Sequence, residues 1–384
     1  MKKIPYGKQF IDSQDILSVQ NSLKEELITT GKYVEKFEKE FVKFTQSKFA
    51  ISCNSGTSAL HLALSSINLK KNDIIIMPAI NFIAVYNMSK LLGAKIYLAD
   101  VDSLTGQMTP STLSECIKKN KIKKIKLIIT MYLGGYPENI LQFYKIKKKY
   151  SCLIIEDACH ALGATYEYKK KQIHIGSCQH ADISCFSLHP VKTITAGEGG
   201  VLTTNNKSFY ERIKLLRSHG IIRDKKKHWE YDVINLGYNY RLSDINSALA
   251  LSQLKKIKRF VSYRKKISLE YTKNLVNFVD LPKYNLKNSS AFHLFLISIR
   301  FDLLKMSKDI FFKFLRSKNI FFQFHYIPIY KFKIFKNKKN NFKGAEYYYQ
   351  NSLSIPIYYK LKNKDQKKVV LLIKNFIKKN KFKS

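Results

Sequence analysis

The 384-residue sequence lacks long apolar runs: nowhere do 18 consecutive apolar residues occur, and residues 1 to 6 contain no apolar leader segment. A membrane-spanning helix needs about 20 predominantly apolar residues, and a secretory signal needs an apolar segment near the N-terminus. We therefore expect no membrane partner. The chain is nevertheless 45% hydrophobic and 25% charged, which is typical of a globular protein with a sizeable core.

Cysteine is scarce and irregularly spaced. The six cysteines form no CxxC pair, so neither a disulfide framework nor a zinc ribbon is indicated. Cys178, His180 and Cys185 lie close together in the sequence, but a fourth ligand at zinc spacing is missing. We expect no metal site and a reducing, cytoplasmic location.

Acidic residues are few: 28 stand against 68 basic residues, and the formal net charge is +40. Such a charge can indicate nucleic-acid binding. Here the lysines are spread along the whole chain, without a basic arm or a repeated aromatic-basic motif. The excess of Lys, Asn, Ile, Phe and Tyr instead indicates AT-rich codons, and we expect no nucleic-acid partner. No GxGxxG motif follows a predicted strand, which disfavours a nicotinamide-dependent oxidoreductase.

Short apolar runs alternate with amphipathic segments. This alternation predicts an α/β architecture with a mostly parallel sheet covered by helices on both faces. Strands are predicted at 49–52, 74–77, 95–98, 127–131, 152–155 and 294–299, and helices at 12–27, 33–46, 82–92, 138–149, 208–217, 243–275 and 308–318. The first helix is predicted from Ile16, Val19, Leu23 and Leu27 at helical spacing, with Asp12 or Ser13 able to cap it. We also expect a polar, mobile loop over 223–231 and a frayed basic tail over 374–384.

One lysine stands in an unusual loop. Lys192 follows a turn stiffened by Pro190 and precedes Gly197-Glu198-Gly199-Gly200. A loop of this kind presents an amine and lets the backbone approach a ligand closely. Such an amine can attack a carbonyl group and hold it covalently. A solvated surface lysine is the alternative interpretation.

Two further segments complete a candidate cofactor site. Asp157 ends the apolar run 153–157, and pyridoxal phosphate needs both a lysine for its aldehyde and a carboxylate that keeps its pyridine nitrogen protonated. Ser55-Gly56-Thr57-Ser58 follows a predicted strand and opens a helix. Free amides and the positive end of the helix dipole favour a phosphate there, although an ordinary N-cap has the same residue types. With Lys192, these segments predict a pyridoxal 5'-phosphate site.

The same segments resemble a known family. Ser55-Gly56-Thr57-Ser58-Ala59-Leu60, Glu156-Asp157-Ala158-Cys159-His160, Ser187-Leu188-His189-Pro190-Val191-Lys192 and Gly197-Glu198-Gly199-Gly200 are similar to motifs of the sugar-nucleotide aminotransferases of the DegT/StrS family. Further matches lie at 237–242, 325–328 and 345–348, so the resemblance runs from about residue 5 to the last helix. It implies the fold type I, aspartate aminotransferase-like architecture. Residues 1–250 would form an N-terminal segment and the large α/β/α cofactor-binding domain, and residues 251–384 a linking helix and a smaller C-terminal α+β domain.

The resemblance also implies roles for single residues. Lys192 and Asp157 are expected to be catalytic. The expected cofactor contacts are Ser55, Gly56, Thr57, Ser58, Phe82, Asp157, His160, Ser187, Lys192 and, reaching across a homodimer to the neighbour's cofactor phosphate, Asn239. The expected substrate contacts are Tyr6, Thr29, Gly31, His325 and Tyr326. Without the resemblance, Phe82 is equally well interpreted as a core aromatic and His325 as a structural histidine.

The reaction implied by the resemblance transfers an amino group from an amino acid, expected to be L-glutamate, to C4 of a UDP-linked 4-keto-6-deoxy-HexNAc. Residues 4–6, 29–32 and 325–330 are most similar to family members that act in pseudaminic acid synthesis. Two alternatives stay open: the same transamination of a GDP- or dTDP-linked keto sugar, and a non-catalytic cofactor-binding or nucleic-acid-binding protein on this fold. Family members that dehydrate sugars usually carry histidine in place of the lysine, so Lys192 argues against that activity.

Overall fold

The computed structural model describes residues 3–224, 226–227, 229–335 and 342–381. Its helices are α1 (Ser13–Ser22), α2 (Lys32–Thr45), α3 (Gly56–Ser66), α4 (Ile83–Leu91), α5 (Pro110–Lys119), α6 (Ile140–Tyr150), α7 (Lys207–Arg217), α8 (Asp244–Leu254), α9 (Ile257–Leu275), α10 (Lys308–Ser317), α11 (Lys343–Asn351) and α12 (Asn363–Lys381). Its strands are β1 (Phe49–Cys53), β2 (Ile74–Pro78), β3 (Lys95–Ala99), β4 (Leu127–Met131), β5 (Leu153–Asp157), β6 (Thr165–Tyr168), β7 (Lys171–His174), β8 (Ile183–Ser187), β9 (Gly200–Thr204), β10 (Ile221–Arg223), β11 (Tyr231–Val233), β12 (Phe295–Ser298) and β13 (Ser352–Ile355). None of the helices in these ranges combines the length and apolarity that crossing a membrane requires.

A seven-stranded sheet in the order β1-β9-β8-β5-β4-β2-β3 forms the centre of the larger part of the chain. β3, β2, β4, β5 and β8 pair in parallel, and β9 runs antiparallel between β8 and β1. Ile155 packs with Leu60 of α3 on one face, whereas Ile154 packs with Phe143 of α6 on the other. The predicted α/β architecture, with a mostly parallel sheet covered on both faces, is therefore confirmed.

The C-terminal part of the chain has a core of its own. β12 and β13 pair antiparallel, and their side chains are buried with those of α10 and α12, for example Phe311 and Phe376. α9 contributes Phe260 to the core beside the large sheet and Tyr271 to the C-terminal core. This arrangement suits a linking helix, although the predicted domain boundary between residues 250 and 251 stays a prediction.

Two helix predictions need correction. The first concerns the helix predicted over 12–27, and the second the helix predicted over 243–275. α1 ends at Ser22, whose hydroxyl donates to the carbonyl of Val19 at 2.7 Å. The apolar residues at helical spacing face outward: Ile16 is 62% exposed and Leu23 and Leu27 are each 56% exposed, whereas Asp15 and Ser22 are fully buried. The apolar periodicity indicated a helix correctly, but it does not mark the buried face of that helix. The buried face instead carries Asp15, which polar partners bind in the interior.

The single helix predicted over 243–275 is two helices, α8 and α9. Between them, the Lys256 amide donates to the carbonyl of Gln253 at 3.0 Å, which tightens the last turn. The buried Lys256 ammonium lies 2.8 Å from a carboxylate oxygen of Asp15. An ion pair between residues distant in sequence lies at this break, and a local apolar pattern does not reveal it.

The expected frayed tail is wrong for residues 374–381, because α12 continues to Lys381. Phe376 and Ile377 are 6% and 4% exposed; residues 382–384 lie outside the described ranges. The loop expected over 223–231 is closed at its ends by the β10–β11 hairpin, where Arg223 pairs with Tyr231. Positions 225 and 228 lie outside the described residues.

Candidate active site

A cleft of about 530 Å³ lies at the carboxyl edge of the sheet. It is lined by the ends of β5 and β8, the N-terminus of α3 and the segment 323–327. Eleven predicted residues line it together: Tyr6, Ser55, Gly56, Thr57, Phe82, Asp157, His160, Ser187, Lys192, His325 and Tyr326. The fold thus brings most of the predicted site into one place, as expected for strand ends that share one edge of a parallel sheet.

Asp157 and Lys192 form the centre of the cleft. Asp157 is 3% exposed, pairs in register with Cys185 of β8, and accepts a hydrogen bond from the Cys159 amide at 3.3 Å. Burial raises the pKa of the Asp157 carboxyl, while Cys159 and the charge of Lys192 lower it. Burial likewise lowers the pKa of the Lys192 amine, and the Cys159 and Asp157 side chains oppose that shift. The result is an amine that loses its proton more readily than a solvated lysine.

The N-terminus of α3 forms a cradle for an anion. Ser55 caps the helix, because the Ser58 amide donates to Ser55 Oγ at 3.0 Å. The amides of Gly56 and Thr57 belong to the first turn, where helical amides lack intrahelical acceptors, and both residues line the cleft. A Cβ atom on Gly56 would lie 2.8 Å from Cβ of Ser187, so glycine keeps this space open. The cradle fits the phosphate group of pyridoxal phosphate.

Ser58 does not line the cleft. Its hydroxyl donates to Asn54 Oδ1 at 2.5 Å and lies 2.9 Å from Ser55 Oγ. In this arrangement Ser58 stabilises the cap that shapes the cradle, and its expected direct contact with the cofactor stays a prediction.

Phe82, His160 and Tyr326 form one wall of the cleft. Phe82 is 53% exposed, so it is not a core aromatic, and its ring centroid lies 5.7 Å from that of Tyr326. His160 Nε2 and the Tyr326 hydroxyl are 2.9 Å apart, and the Gly134 amide donates to His160 Nδ1 at 3.4 Å. Burial, reinforced by the charge of Lys192, holds the pKa of His160 well below its ordinary value. A neutral His160 with its hydrogen on Nε2 satisfies both contacts.

His325 and Tyr6 line the cleft beside this wall. Their ring centroids are 5.5 Å apart, and His325 Nδ1 lies 2.9 Å from the Ser354 hydroxyl. Burial lowers the pKa of His325 to about 3. His325 is therefore a neutral group that can exchange hydrogen bonds with a ligand without bringing a charge.

Three predicted site residues lie elsewhere in the single chain. Thr29 forms a bridge with Ser243, and the Gly31 amide donates to Asp244 at 2.7 Å. Asn239 pairs with Ser218. These residues flank the start of α8, outside the cleft, and Gly31 lines a separate groove of about 860 Å³ with Arg241. Their expected contacts with substrate or cofactor stay predictions.

Sequence reasoning missed two buried residues of the cleft, Asn81 and His293. They are 1% and 3% exposed, and within the described chain Asn81 Nδ2 and His293 Nδ1 have no hydrogen-bond partner. Asn81 could have been found, because it follows β2 at the carboxyl edge of the sheet and precedes Phe82. His293 precedes a strand of the C-terminal part, and no local pattern distinguishes it.

The model of the DegT/DnrJ/EryC1/StrS aminotransferase family matches residues 9–374. The chain belongs to this family. It is therefore a sugar aminotransferase that uses pyridoxal 5'-phosphate, and the acid, amine and anion cradle of the cleft suit that cofactor. The lysine and carboxylate that sequence reasoning singled out are the groups that the chemistry of this cofactor requires.

Individual relatives of this aminotransferase are similar over nearly the whole chain. The UDP-4-amino-4,6-dideoxy-N-acetyl-β-L-altrosamine transaminase of Campylobacter jejuni subsp. jejuni serotype O:23/36 (strain 81-176) is 37% identical over 369 residues, 95% of each chain. The structure of Helicobacter pylori PseC, an aminotransferase involved in the biosynthesis of pseudoaminic acid, matches with a TM-score of 0.88 and 29% identity, over 98% of this chain and 100% of that one. Spr1654 of Streptococcus pneumoniae in its PMP-form matches with a TM-score of 0.89 and 25% identity, over 98% and 99% of the two chains.

Proposed function

We propose that this aminotransferase converts a UDP-linked 4-keto-6-deoxy-HexNAc to UDP-4-amino-4,6-dideoxy-N-acetyl-β-L-altrosamine in pseudaminic acid synthesis, with L-glutamate as the amino donor. The observation that carries the proposal is 37% identity to a transaminase of that name over 95% of both chains. The likeness to PseC points to the same pathway. The high positive charge of the chain, +40, favours the approach of a sugar diphosphate and an acidic donor.

Pyridoxal phosphate supplies an electron sink that stabilises a carbanion next to the transferred nitrogen. Lys192 would hold the cofactor, and its free amine would take up the proton from the α-carbon of the donor. Proton transfer of this kind needs an amine that is unprotonated at the start. Burial lowers the pKa of Lys192 and so increases the unprotonated fraction.

The other side chains of the cleft would hold and orient the cofactor. Asp157 is the carboxylate for the pyridine nitrogen, and the Cys159 amide, 3.3 Å away, holds it in place. The amides of Gly56 and Thr57, with the Ser187 hydroxyl, are the donors for the phosphate. Phe82 would offer a ring face to the cofactor, and His160 would be the contact to its 3-hydroxyl region.

In the second half of the reaction, we expect the keto sugar to bind in the part of the cleft that Tyr6, His325 and Tyr326 line. These side chains can exchange hydrogen bonds with hydroxyl and amide groups of a sugar. His325 stays neutral at physiological pH because burial lowers its pKa to about 3. Lys192 then delivers the proton to C4 of the sugar.

The active enzyme is proposed to be a homodimer with shared sites. The β10–β11 hairpin and the residues after it expose Ile222 (50%), Tyr231 (59%), Val233 (52%) and Leu236 (90%). Clusters of exposed apolar side chains mark interaction surfaces. Asn239 follows this segment, so a second copy packed here brings Asn239 toward its partner's cleft. A cytoplasmic location stays a prediction.

The test is a side-by-side assay of the purified enzyme with L-glutamate and UDP-, GDP- or dTDP-linked 4-keto sugars. We expect the UDP-linked 4-keto-6-deoxy-HexNAc to be aminated at C4 with a kcat/KM at least about tenfold above the others, which corresponds to roughly 1.4 kcal/mol of transition-state binding. The product would be identified by mass and by its C4 configuration. Preference for a GDP- or dTDP-linked sugar would contradict the proposed substrate and leave the family assignment intact.

A further inference from the structure

A groove of about 850 Å³ lies between α9 and α12, away from the residues that line the active-site cleft. Every described residue of its lining belongs to one of these two helices. The Tyr263 hydroxyl donates to the carbonyl of Leu361 at 3.0 Å, and Gln366 Nε2 donates to the carbonyl of Ile267 at 2.8 Å. These contacts advance in the same direction along both helices, so α9 and α12 run parallel, side by side. Two helices that are bonded to each other thus shape this α9–α12 groove.

Apolar side chains lie along the α9–α12 groove. Leu269 of α9 and Leu371 of α12 both line it and are more than half exposed, and Val370 lies buried next to Leu371. The two helices already bury another face in the C-terminal core, where Tyr271 and Ile373 are fully buried. Leu269 and Leu371 are therefore a second apolar strip on these helices, one that faces away from the core.

Lysines border this apolar strip on both sides. Lys266 and Lys273 stand on α9, and Lys367 and Lys374 on α12. The two lysines of each helix are two turns apart and so share one face. Among the described residues that line the groove, Glu270 is the only acidic one. None of the four lysines forms an ion pair with a described residue, so the positive charge of the groove is uncompensated there.

This uncompensated charge is a local feature and not only a sample of a basic surface. In the groove of about 860 Å³ that Gly31 and Arg241 line, three cationic side chains pair with glutamates of the same groove. A second copy of this chain also carries a charge of +40, so repulsion between like charges opposes its docking in the α9–α12 groove. The occupant that fits is acidic and carries apolar side chains of its own.

The shape of the groove favours a helical segment as that occupant. On α12 its lining runs from Asn363 to Lys374, a length of about 17 Å, which equals about three turns of a partner helix. A lipid surface is flat and meets the ridges of two helices before the space between them. A helix laid along the groove can place aliphatic side chains on Leu269 and Leu371 and carboxylates beside the lysines.

We propose that the α9–α12 groove is a docking site for an acidic amphipathic helix of a partner protein. Aliphatic side chains of that helix pack on Leu269 and Leu371, and its Asp or Glu side chains pair with the lysines at the rim. The apolar contacts hold the complex together, and the charge complementarity speeds association and selects the partner. The inference is independent of the roles proposed for the residues of the cleft.

The test measures fluorescence anisotropy of a labelled synthetic helix of about 14 residues, with leucine at helical spacing and glutamate at the flanking positions. A peptide of the same composition in scrambled order is the control. Full-length wild type should bind the amphipathic peptide at least about tenfold more tightly than the scrambled one. Leu371→Glu should weaken binding about tenfold, whereas Leu91→Glu, at a more exposed leucine that ends α4, should leave it unchanged.

A second pair of variants tests the charge without touching the apolar strip. Lys367→Glu should weaken binding of the amphipathic peptide several-fold more than Lys118→Glu, which changes the net charge equally at an exposed position of α5. All four variants should keep the wild-type Tm and transamination rate. Equal binding of the two peptides, or equal losses in groove and control variants, would overturn the inference, because either would reflect general attraction of acidic peptides to a basic chain. Loss of binding to phosphatidylserine vesicles in Leu371→Glu, with peptide binding unchanged, would overturn it in favour of a lipid surface.

Discussion

Burial of the Lys192 amine predicts a pH-dependent effect on the stability of the cofactor-free protein. Its pKa is lowered from the ordinary 10.5, so the unfolded chain binds this proton more tightly than the folded chain. Stability therefore rises with pH between the folded-state pKa and 10.5. We expect apo Lys192→Met to unfold at a higher Tm than the wild-type apoprotein near pH 7 and the difference to shrink toward about pH 10. A difference that is the same at both pH values would contradict this account of Lys192.

The buried neutral histidines of the cleft predict sensitivity to acid. Burial lowers the pKa of His325 to about 3, whereas an unfolded histidine titrates near about 6.5. Between these values the unfolded state binds the extra proton, so stability is lost as the pH falls through about 6.5 toward 3. His325→Asn should reduce the stability lost between about pH 7 and pH 5 by about 2 kcal/mol.

Urea unfolding of both proteins at the two pH values measures this difference. His160 and His293 are neutral for the same physical reason, so the variant should keep part of the acid sensitivity. If His325→Asn lost as much stability on acidification as wild type, His325 would be protonated, or exposed, in the folded protein.

At the scale of residues, the sequence was informative where chemistry demands a residue type next to a strand end. Lys192, Asp157 and the Ser55–Ser58 segment are such cases, and all except Ser58 line one cleft. Asn81 and His293 were missed because their importance comes from burial beside groups distant in sequence. Thr29, Gly31 and Asn239 are predicted through resemblance alone, and Asn239 is expected to act on a second copy of the chain.

At the scale of elements, α12 shows how composition can hide a core helix. Lysine is so frequent over 374–384 that this segment was predicted to fray, yet Phe376 and Ile377 are buried and continue the stripe of Val370 and Ile373 at helical spacing. α8 and α9 show the opposite limit, because the apolar pattern continues across a break where a buried ion pair lies. In the central sheet, β1 to β5 were predicted to within two residues, since helices on both faces require nearly continuous apolar runs. β8 and β9 were not among the predicted strands.

The burial of α12 predicts a large cost for truncating one side chain. Phe376 is 6% exposed and packs 4.8 Å, centroid to centroid, from the fully buried ring of Phe311. Phe376→Ala should lower the free energy of unfolding by about 3–5 kcal/mol. The matched control is Leu371→Ala on the same helix, where the side chain is 57% exposed and a change within about 0.5 kcal/mol is expected. Equal effects in chemical denaturation would mean that α12 does not pack as described.

At the scale of the whole molecule, the proposed dimer predicts complementation between two inactive variants. Lys192→Ala removes the amine of its own subunit, and Asn239→Asp places a negative charge where the neighbour's cofactor phosphate is expected. In a mixed dimer, one cleft then combines an intact Lys192 with an intact Asn239 from the other subunit. When equal amounts of the two variants are mixed and their subunits re-associate, about a quarter of all sites should become active. If Asn239 acted within its own subunit, no mixed cleft would be intact and no activity would return.

The central claim is that Lys192 carries pyridoxal phosphate in a transaminase that shuttles nitrogen between glutamate and a UDP-linked keto sugar. The most direct test is the visible absorption spectrum of wild type and Lys192→Ala with pyridoxal phosphate, followed by glutamate and then by the UDP-4-keto sugar. We predict a band of lysine-bound cofactor in wild type that glutamate bleaches and the keto sugar restores, and no such band in the variant. A wild-type enzyme without that band, or a variant that shows the same cycle, would contradict the account.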